Sequence, residues 1–158
     1  MSVNSDQFRD VMGRFATGVT VVTTVNQGRL DGFTASSFSS VSLDPPLVLV
    51  CIGKDATCHD AFSNSGCFAI NILSAEQAGL SVRFSSDVGD RFDSVAHKPW
   101  VTGAPILEGA LAAIDCKLHA LYEGGDHSIL VGRVERLDPI REDAEPLIYY
   151  RGAYRSIS

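Results

Sequence analysis

The nine residues Thr34-Ala35-Ser36-Ser37-Phe38-Ser39-Ser40-Val41-Ser42 carry six hydroxyls, and their small side chains let a ligand approach the main chain. Hydroxyls and free amides at that density suit an uncharged polar ring with a hydroxylated tail. A flavin presents such a surface: ring nitrogens and carbonyls that bond backbone groups, a ribityl chain of hydroxyls, and a terminal phosphate. The same hydroxyls also serve local turns, so composition alone leaves both readings open. The other place suited to chemistry is Gly125-Asp126-His127. Its imidazole can stack, donate a hydrogen bond and titrate near neutrality, or simply sit exposed on an Asx-type turn.

Other signatures are missing. No G-x-G-x-x-G follows a strand, and Gly53-Lys54 runs into Asp55 instead of completing a phosphate-binding loop. Cys58 and His59 adjoin, yet no spacing of the remaining Cys and His residues completes a four-ligand zinc set, so no metal is expected. No serine sits in a G-x-S-x-G elbow.

The elements that must position these residues follow from periodicity. Phe8, Val11, Met12 and Phe15 fall on one helical face, with Asn4 or Ser5 as N-cap, which predicts an amphipathic helix over about 5–16 whose stripe covers something. Val19–Val25 and Leu30–Ala35 flank Asn26-Gln27-Gly28 as a hairpin. Leu47–Ile52 and Phe68–Leu73 are strands around one helix, and Ser74 with Gln77 forms a capping box for a helix to about Ser85. Residues 87–105 are a long surface loop, the kind that is often functional. Leu111–Leu121 and Ser128–Leu137 form a second hairpin, and Pro146–Tyr154 a closing aromatic strand. Six or seven strands with two or three helices, not interleaved as βαβ units, favour a mainly β, antiparallel barrel.

Composition narrows the function classes. The 158 residues are 45% hydrophobic and 20% charged, the profile of one globular domain spanning 1–158. A net charge of -6 with no basic run argues against a nucleic-acid partner. The longest apolar stretch is far short of the ~20 residues that span a bilayer. Four cysteines without a C-x-x-C pair and an N-terminus without a signal pattern fit a reducing cytoplasm.

Phe15-Ala16-Thr17-Gly18-Val19-Thr20-Val21-Val22-Thr23, Gly32-Phe33-Thr34-Ala35-Ser36-Ser37-Phe38 and Leu43-Asp44-Pro45-Pro46-Leu47-Val48 resemble the opening of the flavin reductase-like, split-barrel FMN-binding proteins. So do Phe68-Ala69-Ile70-Asn71-Ile72-Leu73 and the Gly125-Asp126-His127 turn, and the blocks keep the family's order from Phe15 to Tyr150. Within the family the likeness is to the small reductase components of two-component flavin-dependent monooxygenases. The resemblance implies a homodimer of antiparallel split barrels that reduces FMN or FAD with NADH or NADPH. Reduced flavin would then pass to a separate monooxygenase, since so short a chain leaves little volume for an organic substrate.

The same resemblance implies residue roles. Thr34, Ala35, Ser36 and Ser37 lie along the isoalloxazine edge, and Ser40, Val41 and Ser42 turn toward the ribityl chain and phosphate. Cys51 and Lys54 stand at a strand end beside the cofactor tail, where a cation suits a phosphate. Ser81, Arg83 and Phe84 lie near the flavin phosphate or adenylate, although Arg83 also suits a helix C-cap. Asp126 and His127 face the nicotinamide side, with His127 as the residue that holds the dihydropyridine. Apart from the resemblance, Tyr149 and Tyr150 offer an aromatic face to close the pocket, Tyr150 being the one assigned to the cofactor, and on strand spacing one of the pair points into the core. Two alternatives remain: a non-catalytic flavin-binding electron carrier, against which His127 speaks, and an oxidase holding a substrate phosphate, for which no basic cluster exists.

Overall fold

β-Branched and other apolar runs put just under half of this chain into strands, which pair antiparallel. The computed structural model describes residues 2–87 and 89–157. Helix α1 (Ser5–Met12) is capped by the Asn4 side chain, which accepts from Asp6 N at 2.7 Å. Strand β1 (Thr17–Gly18) leads into β2 (Thr20–Asn26), six of whose seven residues are β-branched. Gln27 and Gly28 both adopt positive φ, 51° and 80°, a two-residue hairpin turn that sets β3 (Arg29–Ala35) beside β2. There follow β4 (Ser39–Ser42), β5 (Leu47–Gly53), α2 (His59–Ser65) and β6 (Cys67–Ile72). A single 3-10 turn over Ala75–Gln77, held by the Ser74 and Gln77 capping box, opens into α3 (Ala78–Phe84). The rest is β7 (His97–Pro99), β8 (Pro105–Leu107), the long hairpin β9 (Ala112–Gly124) and β10 (His127–Pro139), and β11 (Ile148–Tyr150) with β12 (Ala153–Arg155).

Seven strands make one antiparallel sheet in the order β3-β2-β6-β9-β10-β5-β4. Among the described residues its edge strands β3 and β4 do not pair, so no closed barrel is formed by hydrogen bonding. The alternation along β5 buries Val48, Val50 and Ile52 and leaves Cys51 and Gly53 half-exposed on the other face. The buried set packs on Phe62, Phe68 and Leu130, and the Phe33 and Phe62 rings meet edge to face at 5.0 Å. Such a pair adds about 0.5–1.5 kcal/mol beyond its buried area. A second cluster of Val19, Val21, Leu73, Phe84, Leu107 and Leu147 seats α3.

Several expectations are corrected. Helix α1 stops at Met12 because Gly13 caps it, and none of its residues is buried: Phe8, Val11 and Met12 are 57%, 57% and 53% exposed. Residues 87–105 are not a plain loop, because β7 pairs with β8 and the buried Asp115 carboxylate accepts from Val101 N, Thr102 N and Thr102 Oγ1 at 2.8, 3.0 and 2.6 Å. The closing segment is two strands turned at Arg151-Gly152, with β1 added beside β11. Neither Tyr149 nor Tyr150 enters the core; Leu147 does. His119 lies exposed on β9. Among the described residues, no helix is long and apolar enough to cross a membrane and no cluster of His, Cys, Asp or Glu could hold a metal.

Candidate functional site

The end of β3 and the end of β5 come together around a cavity of about 390 Å³. One wall is Phe33, Thr34, Ala35, Ser36 and Ser37, and the facing one is Cys51, Ile52 and Gly53 with Ala56. Phe84 and Ser85 close one end, and His127 stands at the mouth. Two glycines make the shape. A Cβ on Gly32 would meet the Phe84 ring at 3.0 Å, so glycine lets that ring lie on β3; a Cβ on Gly53 would meet Asp55 Oδ1 at 3.0 Å and stand 4.0 Å from His127 Nε2.

Most of the hydroxyls frame the site instead of facing it. Thr20 Oγ1 donates to Ala35 O at 2.7 Å, Thr34 Oγ1 donates to Ser81 O at 2.6 Å, and Ser37 Oγ accepts from Cys51 N at 3.0 Å. Ser36 and Ser37 lie past the last rung of the β2–β3 ladder, Thr20↔Ala35, which leaves their main-chain groups outside it. Ser36 also borders a hollow of about 260 Å³ reaching Ser81, Tyr149 and Tyr154, and an apolar one of about 360 Å³ reaching Phe15 and Phe38. The three hollows therefore share one residue. Two larger depressions, near Arg29 and Arg91 and near Trp100 and Arg136, contain none of the residues singled out from the sequence.

His127 is aimed by its neighbours. It pairs in register with Gly53, and its Nδ1 lies 2.7 Å from Asp126 Oδ1. A carboxylate only accepts, so Nδ1 carries the proton, and Nε2 is left on the Gly53 side. That hydrogen bond, with the imidazole's charge second, holds the Asp126 carboxyl below the usual carboxylate range. Lys54 ties the same turn down: its N–H donates to Asp126 O at 2.9 Å and its ammonium pairs with Glu123.

The cavity thus unites Thr34, Ala35, Ser36, Ser37, Cys51, Phe84 and His127, with Asp126 and Lys54 adjoining through the turn. Ser81 lines the neighbouring hollow, its Oγ 2.6 Å from Tyr154 Oη. Ser40, Val41 and Ser42 lie on edge strand β4 and border neither hollow. The Arg83 guanidinium donates to the carbonyls of Asp90, Arg91 and Asp93 and so organises the following loop. Tyr150 is replaced at the rim by Tyr149, and its ring lies 5.9 Å from the Arg155 guanidinium. The sequence reading missed Ser85 and Tyr154, whose one local signal was adjacency to Phe84 and to the closing aromatic run.

The site is thus a hydroxyl-framed cavity between two antiparallel strand ends, with an oriented histidine at its mouth. Residues 12–158 match the flavin reductase like domain, and the chain belongs to that family. It is 43% identical over 156 residues to the reductase subunit HsaB of a flavin-dependent monooxygenase from Rhodococcus jostii, across 99% of this chain and 80% of that protein. Nitrilotriacetate monooxygenase component B from Mycobacterium thermoresistibile has the same fold, with a TM-score of 0.94 and 43% identity over 98% of this chain and 87% of that one. The NADH:FAD oxidoreductase of Streptomyces globisporus, solved in complex with NAD and FAD fragments, gives a TM-score of 0.92 and 41% identity over 98% of this chain and 93% of that one.

The residues present fit a flavin. The cavity of about 390 Å³ is within the range of sites that enclose a small molecule, and it shares Thr34, Ala35, Ser36 and Ser85 with the hollow of about 260 Å³. Ser36, which borders both, has a hydroxyl without a protein partner among the described residues.

Proposed function

We propose that the protein is an NAD(P)H:flavin oxidoreductase that binds FMN or FAD along Thr34–Ser37, reduces it, and supplies reduced flavin to a partner monooxygenase. The observation that carries this is the convergence of the Ser36 segment, Gly53 and the oriented His127 on one cavity. Relatives named for NADH, one with FMN and one with FAD, support NADH as the donor and both flavins as acceptors.

When bound, the flavin ring takes the hydride of a dihydronicotinamide. The chain's own task is geometric, which is why it needs no nucleophile or paired carboxylates. The amides of Ser36 and Ser37, outside the β2–β3 ladder, would bond polar ring edges, and Phe33, Ile52, Ala56 and Phe84 would give the ring an apolar wall. His127 holds the nicotinamide side at the mouth, and Asp126 keeps its imidazole in one tautomer and orientation.

The seven-stranded antiparallel sheet is one split barrel, and the protein works as a cytoplasmic homodimer of two such barrels. The support is α1, whose apolar stripe has no cover within the chain, and the apolar hollow at Phe15 and Phe38 that shares Ser36 with the flavin cavity. Mixing the purified protein with NADH and either FMN or FAD tests the activity. Loss of the nicotinamide absorbance band that depends on flavin is expected; equal rates with and without flavin would overturn the assignment.

A further inference from the structure

Among the described residues no Lys or Arg lines either hollow of the flavin cavity, and Arg83 is spent on three carbonyls. Guanidinium groups lie further along the same strand, in a cavity of about 530 Å³ lined by Arg29, Asp31, Thr57, Asp90, Arg91 and His97 among others. Three contacts make the two cavities neighbours. Strand β3 is a sheet edge whose residues 33–35 line the flavin cavity and 29–31 the larger one; Asp31 stands about 7 Å from Phe33 and about 13 Å from Ala35 at strand spacing. Ala56 and Thr57, consecutive in the loop after β5, belong to one cavity each. The Phe84 and Phe92 rings, again one from each, meet at 5.1 Å. Arg91 marks the boundary, donating to Gly32 O at 2.6 Å and to Ser86 O at 2.9 Å.

The larger cavity keeps donors and acceptors in reserve. The Arg29 guanidinium and the Thr57 hydroxyl have no partner among the described residues. His97 Nδ1 lies 2.8 Å from Val95 O, which only accepts, so Nδ1 carries the proton and Nε2 is left as an acceptor. Asp31 and Asp90 each spend one carboxylate oxygen on a main-chain N–H, of Gly32 and of Phe92, and keep the other. A guanidinium set among carboxylates suits a nucleoside phosphate better than a bare phosphate, because the acids that repel the anion bind ribose hydroxyls.

Resting on the reductase reading, we infer that this second cavity is the subsite for an adenosine phosphate tail, carried by FAD or by NADH while its reacting ring occupies the flavin cavity. Arg29 takes the phosphate, Asp31 and Asp90 take ribose hydroxyls, and His97 Nε2 accepts a hydroxyl or amine hydrogen. A dinucleotide that uses the subsite binds more tightly than its mononucleotide half.

Equilibrium titration with FAD, FMN, NADH and reduced nicotinamide mononucleotide, each alone, tests this in the parent protein, R29Q and T57W. R29Q should weaken Kd for FAD, NADH or both by about three- to tenfold, the range of one charge-assisted hydrogen bond at a partly exposed site. T57W, which narrows the cavity and removes no charge, should weaken the same ligand, and the mononucleotides should bind all three proteins alike. A loss for FAD identifies the flavin's adenylate as the occupant; a loss for NADH identifies the donor's. Unchanged FAD and NADH affinities in R29Q, an equal loss for a dinucleotide and its mononucleotide half, or a loss that T57W does not share would overturn the inference. Because these are binding constants, a protein that binds FAD but never oxidises NADH would sink the reductase reading and still decide the role of the cavity.

Discussion

Because the Asp126 carboxylate accepts from Nδ1 at 2.7 Å, His127 has its other nitrogen on the Gly53 side of the cavity, and the proposed function assigns it the nicotinamide. H127A should therefore lower kcat/KM for NADH by about tenfold, the worth of one good hydrogen bond of about 1.4 kcal/mol, while flavin Kd stays within about twofold. Steady-state rates beside fluorescence titrations check it; an unchanged rate removes His127 from the reaction. The Asp126 carboxyl titrates below its ordinary range because of His127. A lowered carboxyl contributes stability that is complete above the unfolded value near ~3.9 and disappears as pH falls through the folded one. D126N should thus lose slight stability at neutral pH and none in strong acid, read by urea unfolding at both. Thiols divide by the same logic of environment. Burial, with Asp115 and Glu135 adding, pushes Cys116 up to about 12, Cys58 and Cys67 are buried, and Cys51 alone borders the cavity. A disulfide reagent should label Cys51 alone in the native protein, more slowly with flavin present. The hydroxyl cluster was legible in the sequence, but the use of each hydroxyl was not. Thr34 and Ser37 bond partners 47 and 14 residues away, and no local pattern specifies those pairings.

At the scale of elements, a β-branched run announced β2, and apolar runs bounded by turn residues announced β5, β6, β9 and β10, since such segments fit a half-buried pleat regardless of neighbours. Strands β4, β7, β8 and β12 are only three or four residues long and exist because partners order them, so nothing local marked them. Asp115 shows how the segment before β8 is held. Replacing it by alanine strands two N–H groups and a hydroxyl, which should cost about 1–3 kcal/mol and expose residues 87–105 to protease. Equal urea midpoints and equal proteolysis rates would show that the clamp is dispensable. Gly132 belongs to the same hairpin, at a register shift in β10 where a Cβ would stand 2.5 Å from Phe68 Cζ and 2.7 Å from Cys116 Cβ. The sequence shows only a glycine inside a strand; the contact that demands it comes from β6 and β9.

Across the whole molecule, the family-ordered blocks made the mainly β class and the flavin cavity readable, whereas the sheet order was not, because it rests on contacts between distant segments. The misjudged α1 is the clearest case: its periodicity was right, yet none of its residues is buried among the described residues. Phe8, Val11, Met12 and Phe15 in solvent form a patch of the kind that marks an interface. Sedimentation should find a dimer at micromolar concentration, and V11E with F15E should shift it to monomer; a parent that stays monomeric would remove the dimer. Hydride transfer between two bound rings is measured most directly without oxygen. NADH added to protein with equimolar FMN should bleach the flavin absorbance in proportion to the NADH supplied, far faster than without protein. Bleaching at the same rate with and without the protein would contradict it.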